Sequence, residues 1–308
     1  MRCVARLPIY FISPMRRFDG AARVAVLCAV AIGALPTVEK AQEPLRPRGA
    51  YNNSVHRFFP DLDSRLNAVR YGRWRAVEIA WKAGINPALD LEFSAFLLKL
   101  LADPPRFPPE AQFVAPRFAR EAPTVFHALR WGQVLEQQVS DVLAAPDATP
   151  ALTGRRLERV VNLYRLERWA LSEPAEEAPP PVAVTLAPMS ARILLSGTRL
   201  FARAMEALAL SDFGQQRWKV RDTIEEFDSS LSREKALEES THRVSAPTFV
   251  ERYPAAAAHL DRVTRFRLEV YGALVGGGAT PEARRERNAR LSEVARRFGL
   301  PSEGIGAP

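Results

Sequence analysis

Three small groups of side chains in this chain have the types and spacing that chemistry needs. Glu239 and His242 form a Glu-x-x-His step, and Glu238 lies one full turn from the same imidazole. Residues three and four apart share a helix face, so the three could reach one metal ion, as in di-iron bundles. Such a centre needs a second Glu-x-x-His step, and the chain has none. A solvated, charged helix end with one histidine explains the pattern as well. Ser232 and Lys235 have Ser-x-x-Lys spacing, in which the lysine lowers the proton affinity of an exposed serine. The partner motifs of that acylating class are missing, and a helix-capping serine is the plainer account. The third group is His127, Trp131 and Glu136. His127 and Trp131 lie one turn apart, so an aromatic and an ionisable ring share a face, and Glu136 follows. They could line a groove between helices, or the histidine could be a hydrogen-bonded core residue.

Other chemical signatures are absent. No Gly-x-Ser-x-Gly elbow occurs, and the run Gly276 to Gly278 is not followed by Lys-Ser/Thr, so it is no phosphate loop. Both cysteines, Cys3 and Cys28, fall in the first 41 residues. A chain cleaved after them has no disulfide, thiolate ligand or cysteine nucleophile. No cofactor is identified by these patterns.

The elements that must position these groups are helices. Apolar residues recur at helical spacing over 64–83, 88–102, 123–145, 152–171, 190–210, 216–229, 232–242 and 254–274, and a last helix follows the Thr280-Pro281-Glu282 start signal. A short helix is expected before Arg120, and residues 46–59 are expected to be irregular. The predicted fold class is all-α, a bundle of about nine helices. The stretch 88–102 is apolar on most sides and should lie in the centre of the core. Residues 173–188, with Pro179 to Pro181, read as a linker between a lobe at 42–172 and a lobe at 189–300, with a frayed tail at 301–308.

The N-terminus reads as a targeting segment. Arg16, Arg17 and Arg23 precede an apolar run from Val24 to Val38, the plan of a secretory signal. That run is shorter than the ~20 residues of a membrane-spanning helix, which favours cleavage over an anchor at 24–38. Residues 1–41 are taken as the leader, with Met15 as the expected true start. The chain carries 43 basic and 35 acidic residues for a net charge of +8. Half of that excess belongs to the leader, and the remainder is nearly balanced. Only five basic residues are lysines, a skew that fits a GC-rich bacterial genome. Nucleic-acid binding would need basic charge clustered on one face with interleaved aromatics, so no nucleic-acid partner is expected. The arginines of the last helix are read as a solvated face with pairs such as Glu286–Arg290, making at most weak contact with a membrane.

Three segments, Pro104 to Glu110, Trp131 to Val142 and Gly278 to Arg285, resemble a group of uncharacterised, exported, all-helical bacterial proteins. The resemblance covers most of the chain after the leader. It implies location and fold more than activity. In those relatives the segment after the matching tryptophan carries histidines. Here those places hold Gln133 and Glu136, while Asp141 is retained, so an inherited metal role is in doubt.

These readings converge on an exported periplasmic or envelope protein that binds a protein partner or small ligand in an inter-helix groove lined by His127, Trp131 and Glu136. The rivals are a metal-dependent enzyme or redox protein using Glu238, Glu239 and His242, and a structural domain held at the membrane by its N-terminus.

Overall fold

The computed structural model describes residues 53–83, 86–146, 149–172, 189–231, 246–274 and 280–301. The leader, the Pro-rich stretch, most of the tail, the Ser232–Lys235 pair and the cluster of Glu238, Glu239 and His242 lie outside the described residues. The described chain is all-α. Its helices are α1 (Ser54–Phe58), α2 (Pro60–Ala83), α3 (Pro87–Ala102), α4 (Ala111–Val114), α5 (Pro116–Glu121), α6 (Pro123–Leu143), α7 (Pro150–Leu166), α8 (Met189–Leu208), α9 (Phe213–Leu231), α10 (Pro247–Arg252), α11 (Pro254–Leu274) and α12 (Pro281–Arg297).

Eight of these twelve helices begin on proline. Proline lacks the N–H that the first helical turn leaves unused, and its φ is already helical. That explains why α2 and α7 start earlier than apolar periodicity alone suggests. Local caps add to it. Asn86, Thr149 and Thr280 each accept a backbone N–H three residues on, opening α3, α7 and α12.

Four short helices escape the periodicity. The five-residue α1 occupies part of the stretch expected to be irregular, and α4, α5 and α10 are four to six residues long. Isolated helices of that length are unstable in water. None of the four has a side-chain cap of its own. Carboxylates from distant helices substitute for it at three of them. Asp141 of α6 accepts the N–H groups of Asn53 and Val55 at α1, at 3.0 and 2.9 Å. Glu78 of α2 accepts Phe118 N–H of α5 at 3.0 Å. Glu206 of α8 accepts Thr248 and Phe249 N–H of α10 at 2.9 and 3.2 Å. The long helix α8 is anchored the same way, by Asp90 of α3 on Met189 and Ser190 N–H at 2.8 and 3.0 Å.

The core centres on α2, α6 and α11. Helix α6 buries sixteen of its 21 residues, and α2 is buried on most sides, with Leu62, Leu66, Trp74 and Trp81 among its core residues. Helix α3, expected at the centre, lies outside it. It buries Phe93, Ser94, Leu97 and Leu101 against α2 and α8 and exposes its other side. Residues from both sides of the 173–188 stretch belong to one continuous core. Helix α8 runs beside α2 so closely that a Cβ on Gly197 would lie 2.5 and 2.7 Å from the methyls of Val69. Valine has one strongly preferred rotamer in a helix and cannot turn away.

We predict that Gly197→Ala lowers stability by about 1–2 kcal/mol, the overpacking cost exceeding the helix propensity gained. Gly154→Ala on α7, where a Cβ meets nothing within 4 Å, should raise it by up to ~1 kcal/mol. Urea unfolding of both variants checks the pair, and equal shifts of the same sign would contradict the close approach.

Candidate functional site

The three residues expected to share a groove face three different neighbours. His127 is half-buried and stacks on Trp169, with ring centroids 4.8 Å apart and an interplanar angle of 22°. Arg168 covers the same indole at 4.3 Å. Burial, reinforced by Arg130 and Arg168, lowers the proton affinity of this imidazole. Trp131 is fully packed in the core. Its Nε1–H donates to the Tyr164 carbonyl at 2.9 Å and its ring lies nearly parallel to Tyr164. The Tyr164 hydroxyl in turn accepts Leu171 N–H at 3.1 Å, which folds the chain back after α7 ends at Leu166. Trp131 therefore satisfies its one polar atom inside the fold and leaves nothing for a ligand.

Glu136 is buried among arginines. Its Oε1 accepts Arg267 Nη2–H of α11 at 2.8 Å, and its Oε2 lies 3.7 Å from Arg73 Nη1 of α2. Burial alone would raise its pKa, but Arg267, Arg73 and then Arg70 outweigh that and hold it below the usual glutamate range. Arg73 also donates to Thr198 Oγ1 of α8 at 3.0 Å. Burial, and after it the nearby Arg267, brings the Arg73 pKa down to about 9, so it stays charged at neutral pH. Four helices thus meet around one carboxylate.

A second polar chain runs beside it. Arg70 donates to Asn67 Oδ1 at 2.7 Å and lies 3.7 Å from Asp63 Oδ1, while His56 Nδ1 is 3.0 Å from Asp63 Oδ2. His56 stacks on Phe107. Asp141 closes the group. Burial pushes its pKa up to about 6 despite the two backbone N–H groups it accepts, with Asp63 adding to the rise. The arrangement matches charges and caps a helix. It sets no nucleophile beside a base, and its ionisable groups are engaged by neighbouring helices.

The sequence pattern missed Arg70, Arg73 and Arg267 as partners of Glu136. The available signal was that Arg70 and Arg73 fall in phase with Leu66, Val69 and Trp74, on the buried side of α2. Charges in phase with an apolar stripe need a buried counter-charge. Gln133 likewise has a structural partner, accepting Trp74 Nε1–H at 2.8 Å. Among the described residues, no group of three or more His, Cys, Asp or Glu side chains could hold a metal ion, and no helix is long and apolar enough to cross a membrane. An open cleft among Leu143, Pro150, Leu208, Phe213, Arg252 and Tyr253 has room for about 30 Å³. That is room for a few waters at most, far below the several hundred Å³ of a small-molecule site.

The outer face of α3 is the larger feature. Leu91 is 74% exposed and Leu98 38%, whereas Phe96 lies on the opposite flank of the helix beside Tyr71 and Phe93. Ala88, Ala95 and Ala102 complete the face, all exposed. Phe107 and Phe113, in the segment that follows, are exposed as well. Apolar surface gathered on one helix in this way marks interaction sites far more often than scattered leucines do. Comparison with protein-family models, curated protein sequences and solved structures returns no match.

Two predictions follow from the buried charges. Glu136→Gln leaves Arg73 and Arg267 without a counter-charge and should cost about 3–5 kcal/mol in urea unfolding; a loss below about 1 kcal/mol would show that the cluster is not coupled to folding. Asp141 has a folded pKa above its unfolded value of about 4, so the native state binds more protons between the two. Its contribution is fully present below about pH 4 and is lost as pH rises through about 6. The stability of the protein minus that of Asp141→Asn should therefore fall by roughly 2–3 kcal/mol from pH 4 to 7. Parallel pH profiles would contradict the raised pKa.

Proposed function

We propose that the chain is an exported, non-catalytic helical protein that docks a protein partner on the outer face of α3. The observation that carries this reading is the exposure of Leu91 and Leu98, with Ala88, Ala95 and Ala102, on one face of a helix whose other side is locked into the core. Covering these side chains recovers a share of the ~1.5–3 kcal/mol that full burial of a leucine gives, most of it at Leu91 and under half at Leu98. A protein face of this kind gains stability when a partner covers it. The dispersal of His127, Trp131 and Glu136 onto separate neighbours moves the expected binding surface from the inner groove to α3. The basic n-region and apolar run of the leader support export.

A photo-crosslinking residue placed at Leu91 or Leu98 in the producing cells tests the docking surface, with exposed Arg221 on α9 as the control. A discrete ultraviolet-dependent adduct is expected from positions 91 and 98 and not from 221. Crosslinks that stay within one chain, or adducts no stronger than the control, would overturn the reading. N-terminal sequencing of the recovered chain tests export at the same time: a start between residues 32 and 42 is expected, and an intact leader contradicts cleavage.

A further inference from the structure

We infer that the occupant of the α3 face is a second copy of this chain, paired antiparallel through α3 about a two-fold axis. The inference rests on the docking surface proposed above and names its partner. The exposed positions Ala88, Leu91, Ala95, Leu98 and Ala102 repeat with alternating steps of three and four, the spacing of a helix–helix seam. The seam is self-complementary when reversed. With the axis at the level of residues 96 and 97, Leu91 of one copy faces Ala102 of the other, and Leu98 faces Ala95. The same contacts recur on the other side of the axis. Each leucine thus meets an alanine, so large side chains fill the space that small ones leave. Isologous interfaces require this kind of reciprocity.

The charges fit the same register. Glu92 and Lys99 are both exposed, flank the seam on the same side and make no ion pair with another described residue. They are seven residues apart, about 10 Å along the helix, too far to pair with each other. In the reversed pair, Glu92 of one copy lies two residues from the level of Lys99 of the other, within reach of the long lysine side chain. The two-fold axis makes two such bridges. In a parallel pair the two-fold axis runs along the helices and puts Glu92 and Lys99 of the two copies on opposite sides of the seam, where no bridge forms, so only the antiparallel arrangement pairs these charges. At sixteen residues α3 is about 24 Å long, room for these four layers, and the dimer is expected to dissociate on dilution.

Sedimentation equilibrium of the full exported chain across a concentration series reads the outcome. The wild-type protein should show a monomer–dimer equilibrium. Glu92→Lys sets like charges at both bridges and should weaken the dimer about tenfold at low salt, with the difference shrinking as salt rises. The double variant Glu92→Lys with Lys99→Glu restores opposite charges and should return the affinity to near the wild-type value. A mixture of Glu92→Lys and Lys99→Glu single variants should form mixed dimers in preference to either alone. These side chains are solvent-exposed, so the variants retain the fold, which circular dichroism verifies. A single-chain mass at every concentration, or a dimer indifferent to Glu92→Lys, overturns self-pairing. If the wild type is monomeric but crosslinks from Leu91 reach a different protein, self-pairing fails and the docking surface stands. If no intermolecular crosslink forms, both fail.

Discussion

Carboxylates that act across helix boundaries hold this fold in register. Asp141, Glu78, Asp90 and Glu206 each accept backbone N–H groups at the start of a helix that is remote in sequence. A helix N-terminus carries unsatisfied donors and a partial positive charge, so a buried carboxylate placed there answers both. The short helices α1, α5 and α10 depend on this, because none is long enough to persist alone. Glu136 applies the same logic to side chains, joining Arg73 of α2 and Arg267 of α11 to α6. A buried ion pair adds little net stability over an apolar replacement, but a broken one is costly. Its effect is to penalise packings in which α2, α6 and α11 fail to meet.

These charges also explain why the most apolar helix is not the central one. Helices α2 and α6 are surrounded although they carry Arg70, Arg73, Glu78, Glu136 and Asp141, because each buried charge meets a partner, on its own helix for Arg70 and across a helix boundary for the others. Composition therefore misjudged depth for α3. Its apolar residues divide into an inner set, Phe93, Leu97 and Leu101, and an outer set centred on Leu91 and Leu98. The inner set completes the core, and the outer set is surplus to it. That surplus, with Glu92 and Lys99 beside it, is a feature of the described chain that folding alone does not explain.

The candidate site was partly legible. His127, Trp131 and Glu136 were singled out because aromatic and ionisable residues fell on adjacent turns, and all three do make specific contacts. A helix turns 100° per residue, so Glu136, nine residues on, points away from His127, a rotation the groove reading left out. What the spacing could not reveal was Arg267, 131 positions away. The resemblance of the Trp131 to Val142 segment drew attention to Gln133 and Asp141. Their roles, accepting from Trp74 and capping α1, depend on helices whose positions no local motif encodes.

Periodicity and proline placement by themselves determined the helical class and most of the long helices, since 3.6-residue repeats and N-terminal prolines are local properties of the chain. They also marked Thr280 as a cap, which its bond to Ala283 N–H bears out. Tertiary structure alone decided which helix lies inside, where the short helices form, and which apolar face stays in water. Those outcomes depend on pairing between residues far apart in sequence. A buried charge is tolerable only once its partner arrives, and an apolar side chain is exposed only once the core is filled without it.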